Sequence, residues 1–452
     1  MTPRPAGSWL AAQGRLPLAF MALGLVWFAV GAGLTAGSPE LLAEPHIAPA
    51  VVALVHTWIL GFCVTIAVGA IYQLAPVALS TTLWSERLGW IHFVLHALAV
   101  PVMVFAFRRW QMPLLGGAGA VLATGVVLFA INSVKTVFRS GKSDAVAWSI
   151  GLACVWLVVT VMAGLALVAN RWWALGADPL LLLRAHAHLG LVGFFGTLLQ
   201  GVTFRLVPMF TLGEVPDWRP VKAGLWLSQL GLLVLAPALA FHAGGIAATG
   251  GGMIAAGFCC SGWALWRTLG TRKKRRLDIG VAAFIRSAAM LVVAAVIGLW
   301  LVWPSTAAGS APGGLSANVY GVLVILGALV PAIAGMMNKI VPFLTWMRAY
   351  GPKVGRGATP PATSLSNARL EFWAMAAQGI ALVPLAVGAW TLQPGWLRVG
   401  TALFALGTGA FLVNMLRILR HLWHPLPVAP ATPAARPVRA NDTAVGRTFV
   451  RS

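Results

Sequence analysis

Charged residues make up only 9% of the 452-residue chain, against roughly 25% in an ordinary soluble domain. That shortage excludes a soluble globular fold. Acidic residues are scarcer still, at 10 Asp and Glu against 32 Lys and Arg. None lies in the core of a predicted helix, which leaves no carboxylate relay of the kind expected in membrane pumps. Cysteine numbers four: Cys63, Cys154, Cys259 and Cys260 fall in or at the ends of predicted helices, so neither a disulfide framework nor a cysteine metal motif is present.

What is abundant is apolar length. Hydrophobic residues reach 59% and the mean hydropathy is +0.85. Windows of about 20 apolar residues, enough to cross a hydrocarbon core of about 30 Å, recur twelve times, near 16–36, 50–74, 88–107, 113–137, 145–169, 182–208, 222–242, 245–268, 280–303, 315–346, 370–391 and 397–419. The chain reads as an all-α integral membrane protein with twelve transmembrane helices in one domain, 16–424. It is flanked by an N-terminal tail (1–15) and a Pro-, Ala- and Arg-rich, disordered C-terminal tail (425–452).

The net charge of +22 is explained by topology rather than by nucleic acid. With both termini cytoplasmic, the inner segments hold 26 Lys and Arg and the outer ones five (Arg108, Arg109, Arg171, Arg184 and Arg398), with Arg286 inside the bilayer. The run "RTLGTRKKRRLD" (267–278) then lies beside anionic lipid headgroups. The expected location is a bacterial inner membrane. Arg4, Arg15 and "LTAGS" imitate a secretory signal, but the first apolar segment is needed as a membrane helix by an internal repeat.

That repeat aligns without gaps. "HTWILGFCVTIAVGAIYQLAPV" (56–77), "HLGLVGFFGTLLQGVTFRLVPM" (188–209) and "VLVILGALVPAIAGMMNKIVPF" (322–343) share columns Gly61/Gly193/Gly327, Gly69/Gly201/Gly335 and Pro76/Pro208/Pro342. The offsets correspond to four helices each time, so the fold is expected to be three four-helix repeats, 16–142, 143–276 and 277–424, around a pseudo-threefold axis. The glycines would let a neighbouring helix or a flat cofactor approach closely.

His56 and His188 share one column, where the third repeat has Val322. Each sits 20 residues before its proline, about 30 Å along a helix, so both fall near the outer surface. A buried imidazole needs a partner, since leaving it unsatisfied costs about 1–3 kcal/mol; haem iron, copper, a hydrogen-bonding neighbour or water would each serve. Two imidazoles at matched depth suit opposite axial positions of a low-spin haem. His186 lies two residues from His188, about 200° around the helix, and is expected to face elsewhere, toward a second cofactor, a propionate or water.

The twelve segments and the H-x-H of "HAHLGLVGFFGTLLQGVTFRLVPMF" (186–210), together with "HTWILGFCVTIAVGAIYQLAP" (56–76), resemble the haem-copper oxidase subunit I superfamily, which includes cytochrome c oxidase subunit I and nitric oxide reductase large subunits. The resemblance implies respiration-linked electron transfer and a haem, of b type, held by His56, His188 and His186, with Arg184 next to the H-x-H as the nearest carboxylate partner. It also implies a respiratory electron donor or oxidase subunits as partners, beside the lipid bilayer. The match is divergent. The H-x-H lies on the sixth segment rather than the tenth, and the adjacent histidine pair expected on the seventh for copper is reduced to His242. Autonomous oxygen reduction is therefore not expected. The competing readings are a terminal oxidase or nitric oxide reductase with an atypical site, and a non-haem copper or haem transport or assembly protein.

Three further features carry expectations. His92 and His96, at i and i+4, share one helix face and are sterically able to bind one metal, yet read better as structural. His46 lies in the acidic loop "GSPELLAEPHIAP" (37–49) and reads as solvated; His421 and His424 read as interface residues. Arg205 and Lys339 are expected to snorkel to inner headgroups, and Arg286 to need an internal partner.

Overall fold

The computed structural model describes residues 14–303, 313–355, 357–427 and 429–430. The expected tails fall mostly outside these residues. Among the described residues, twelve helices are long and apolar enough to cross a membrane: α1 Arg15–Gly37, α2 Pro49–Leu79, α3 Glu86–Arg109, α4 Met112–Arg139, α5 Ala145–Trp172, α6 Pro179–Thr211, α7 Arg219–Ala240, α8 Gly244–Gly270, α9 Ile279–Val302, α10 Ala317–Ala349, α11 Ala368–Thr391 and α12 Pro394–Leu422. The chain is an all-α integral membrane protein. The only sheet pairing among the described residues is a two-residue contact of Gly357–Ala358 with Ala429–Pro430.

The helices begin and end where local chemistry supplies partners for their free amides. Ser85, Asp144 and Asn367 cap α3, α5 and α11 by accepting from Leu88, Ala147 and Leu370 backbone N–H groups. The fourth helix of the first and third expected repeats carries an asparagine that ties down the start of the third: Asn132 accepts from Ser85 N–H at 2.9 Å, and Asn414 from Asn367 N–H at 2.9 Å. In the second, Thr271, just after α8, instead accepts from Glu214 N–H at 3.0 Å in the loop between α6 and α7.

Helices α3 and α4, α7 and α8, and α11 and α12 pack along their lengths. Between α7 and α8 only glycine fits. A Cβ on Gly231 would lie 2.7 Å from the Gly250 carbonyl oxygen, and one on Gly224 would lie 2.7 Å from that of Gly257. The aligned glycine columns serve the same purpose rather than admitting a flat cofactor. Gly61 and Gly193 receive Trp27 and Trp156, while Gly69, Gly201 and Gly335 meet Phe20, Ser149 and Gly280. For these five the nearest partner belongs to the first helix of the same expected repeat, whereas Gly327 meets Leu382 of α11 at 3.4 Å.

Helices α2, α6 and α10 share one backbone irregularity. Each widens into π-helical turns, at Thr57–Val64, Leu189–Gly196 and Leu323–Leu329, starting one residue after the His56/His188/Val322 column. Thr65 and Thr197, in one column, donate to the i−5 carbonyls of Leu60 and Val192 at 2.9 and 3.3 Å. π-Helical turns inside α-helices concentrate at functional sites. Two of the three follow a histidine, and the third follows Val322.

Two expectations about cations change. Lys339 does not reach for headgroups but binds Asp278 Oδ2 at 2.6 Å, and Lys274 binds Oδ1 at 2.8 Å. Burial alone would raise the Asp278 pKa; hydrogen bonds and charge from the two lysines outweigh it and hold the carboxyl below its ordinary range. Arg286 is exposed on α9, its guanidinium lying over Gly379 of α11, where a Cβ would come within 2.7 Å of Nη1. The long side chain lies along the surface of α11, so the charge is not enclosed within the bundle.

Candidate functional site

The histidines occupy the end of the bundle where α2 and α6 begin. His56 Nδ1–H donates to the Val52 carbonyl at 2.8 Å, one turn back on its own helix. His186 Nδ1–H donates to the Thr160 carbonyl of α5 at 3.0 Å. His188 Nδ1–H donates to the Arg184 carbonyl at 2.8 Å. A carbonyl can only accept, so these bonds fix the proton on Nδ1 and leave each Nε2 with its lone pair free, the form that binds metal.

His56 and His186 face one another. Their ring centres lie 6.3 Å apart with planes 18° from parallel, too far for face-to-face contact. Phe107 of α3 stacks on His56 at 4.3 Å and 29°, restricting rotation of that imidazole. Both histidines line a cavity of about 450 Å³ between α2, α3, α4, α5 and α6. Its wall is apolar, and Arg171 is its only charged residue. Three glycines thin the wall, at Gly119, Gly164 and Gly190; a Cβ on Gly164 would sit 3.1 Å from His186 Cε1.

His188 belongs elsewhere. Its ring lies 6.1 Å from that of Tyr320 with planes 17° apart, in a much smaller cavity of about 40 Å³ that also touches Gly298. The expected His56–His188 opposition is thus replaced by His56–His186. The physical reason is rotation: the 200° between His186 and His188 aims the first at α2 and α5 and the second at α9 and α10. Equal depth in the alignment could not report which way each ring turned.

No protein-family model and no curated protein matches this chain. The site's chemistry therefore has to be read from its own geometry.

The remaining sequence candidates disperse. Arg184 is exposed and lies near His46 rather than in the histidine cavity. His46 is half-buried, not solvated, and burial followed by the Arg184 charge holds its pKa below the ordinary imidazole range. Arg109 rests 5.9 Å from the Phe105 ring. His242 sits in a left-handed turn after α7 (φ 57°). His421 Nδ1 pairs with the Tyr350 hydroxyl at 2.8 Å. Among the described residues no three His, Cys, Asp or Glu side chains converge. The sequence reading missed Phe107, the Thr160 carbonyl and Gly164 as parts of the site. Gly164, alone in "VMAGLALV", was the one of the three with a visible signal.

Proposed function

We propose that the chain is a haem-binding membrane protein for electron transfer, with His56 and His186 as the two axial ligands of a b-type haem. The observation that carries this reading is the 6.3 Å spacing of two imidazoles whose Nδ1 atoms are already committed. A metal–nitrogen bond of about 2.0–2.1 Å, plus about 1.1 Å from nitrogen to ring centre, puts two in-line axial imidazoles about 6.3 Å apart. A divergent relationship to the haem-copper oxidase subunit I superfamily fits the same reading. So does a bacterial inner membrane with both termini on the basic, cytoplasmic side.

The residues present suit the group. His56 and His186 would hold the haem, which would supply one-electron chemistry when bound, in keeping with a role in electron transfer. The Nδ1–H bonds to Val52 and Thr160 orient the rings and raise the donor strength of Nε2. Phe107 prevents His56 from turning away. The apolar wall excludes water, and Arg171 is placed at the cavity to pair with a haem carboxylate. Lipid and a respiratory donor or oxidase subunit are the partners this role requires.

The test is optical. Purified protein is expected to show the split alpha band of reduced low-spin haem and a positive pyridine haemochrome assay. His56→Ala and His186→Ala should abolish both, whereas His188→Ala should retain the pigment. An unpigmented protein, or loss of haem only in His188→Ala, would reject the assignment.

A further inference from the structure

A second pair of imidazoles lies deeper in the helices α1–α4, at a place the haem reading does not use. His92 and His96 stand one turn apart on α3, each 0% exposed. Their ring centres are 5.7 Å apart with planes 82° from parallel. His96 Nε2 lies 2.7 Å from the Thr65 hydroxyl, whose own proton goes to the Leu60 carbonyl. His96 must then donate through Nε2–H, which leaves Nδ1 as a bare lone pair. His92 Nδ1 pairs with the Tyr72 hydroxyl at 3.1 Å. The two other nitrogens, His92 Nε2 and His96 Nδ1, have no hydrogen-bond partner.

Two orphaned ring nitrogens in a bilayer-buried core cost about 1–3 kcal/mol each, and they occur on adjacent turns of one helix. They do not bond each other. An ion about 2.0 Å from each nitrogen would lie about 3.1 Å from each ring centre, so the 5.7 Å spacing corresponds to a nitrogen–metal–nitrogen angle of roughly 130°. That lies between trigonal and linear, the range of a two- or three-coordinate ion.

The charge balance narrows the choice. No third His, Cys, Asp or Glu joins the pair among the described residues, so a divalent ion would keep its full double charge in a low-dielectric interior. A single positive charge is far cheaper there, and aromatic rings are at hand: Phe20 lies 5.2 and 6.0 Å from the two imidazoles and Phe129 lies 5.3 Å from His92. Imidazole is a good donor for copper. We propose that His92 Nε2 and His96 Nδ1 form a buried site for one copper(I) ion, with Thr65 fixing the His96 tautomer and Tyr72 anchoring His92 through Nδ1. The site is independent of the haem assignment.

The experiment titrates the full-length protein anaerobically with copper(I) against bicinchoninate, in wild type and in a His56→Ala background that removes the other imidazole pair. One competing site per chain is expected in both. X-ray absorption should show two or three nitrogen or oxygen scatterers at about 1.9–2.0 Å with imidazole features and no sulfur. His92→Leu and His96→Leu should each weaken copper(I) by more than the roughly 10–100-fold that follows loss of an outer-shell partner, while haem content is retained. Undiminished affinity in the double variant, a sulfur shell, or no copper uptake by wild type would overturn the proposal. In the last case a water bridging the two nitrogens is the occupant. If the leucine variants do not fold, the scatterers seen in the His56→Ala protein decide.

Discussion

His186 and His188 are two residues apart on α6 and open onto different cavities, the first 6.3 Å from His56 and the second 6.1 Å from Tyr320. The two ring pairs have nearly the same spacing and tilt, yet one cavity is about 450 Å³ and the other about 40 Å³. The proposed haem is assigned to the larger, since the smaller holds little more than one or two waters. The same helix thus presents a wide cavity to α2 and a narrow one to α10.

Gly164 is expected to be intolerant of size. Its missing Cβ would lie 3.1 Å from His186 Cε1, so Gly164→Leu should push the imidazole out of line and lower the haem-to-protein ratio at least several-fold. Gly151, on the same helix with nothing within 4 Å, serves as control. Haem quantification on both variants at equal expression checks it.

Arg171 and Arg184 should separate. A charge-assisted pair with a haem carboxylate contributes about 1.5–3 kcal/mol, so Arg171→Leu should weaken haem retention by roughly 10–100-fold. Arg184→Leu should leave it nearly unchanged, because that side chain lies outside the cavity. Haem transfer to apomyoglobin measures both.

Phe107→Ala removes a ring stacked at 4.3 Å on His56. Aromatic pairs contribute about 0.5–1.5 kcal/mol beyond area burial, so a several-fold loss of haem affinity is expected, with broadened low-spin electron paramagnetic resonance lines from a less restricted imidazole. Unchanged lines would count against the stacking role.

A buried chain of bonds joins α5, α7 and α6: Trp156 Nε1–H donates to Gln229 Oε1 at 2.6 Å, and Gln229 Nε2–H donates to Thr197 Oγ1 at 2.8 Å. Polar contacts between membrane helices are each worth about 0.6–2 kcal/mol. Gln229→Leu should therefore lower the thermal midpoint in detergent by a few degrees without changing haem content.

The Asp278 carboxyl has a depressed pKa between Lys274 and Lys339. A depressed folded-state value means the stabilisation is present above the unfolded carboxylate pKa, about 3.9, and is lost as pH falls through the folded value. Asp278→Asn should lower stability at pH 7 and narrow its gap to wild type at acid pH. A gap that stays constant down to pH 3 would show that the ion pair contributes nothing.

The sequence alone determined the membrane-embedded, twelve-helix character of the chain, because spanning length and hydropathy are set residue by residue. It also picked out the H-x-H and the aligned column containing His56. It showed the glycine columns but not their use: Gly61 and Gly193 receive Trp27 and Trp156, which no one-dimensional pattern pairs. It singled out His92 and His96 as a pair on one helix face but favoured a structural role, because their partners Tyr72 and Thr65 lie on another helix. Tertiary structure decided that His186, not His188, faces His56, since the direction of a side chain depends on the rotation and stagger of whole helices against their neighbours. Those quantities are fixed by packing between distant segments, and a linear pattern carries only the order in which they occur.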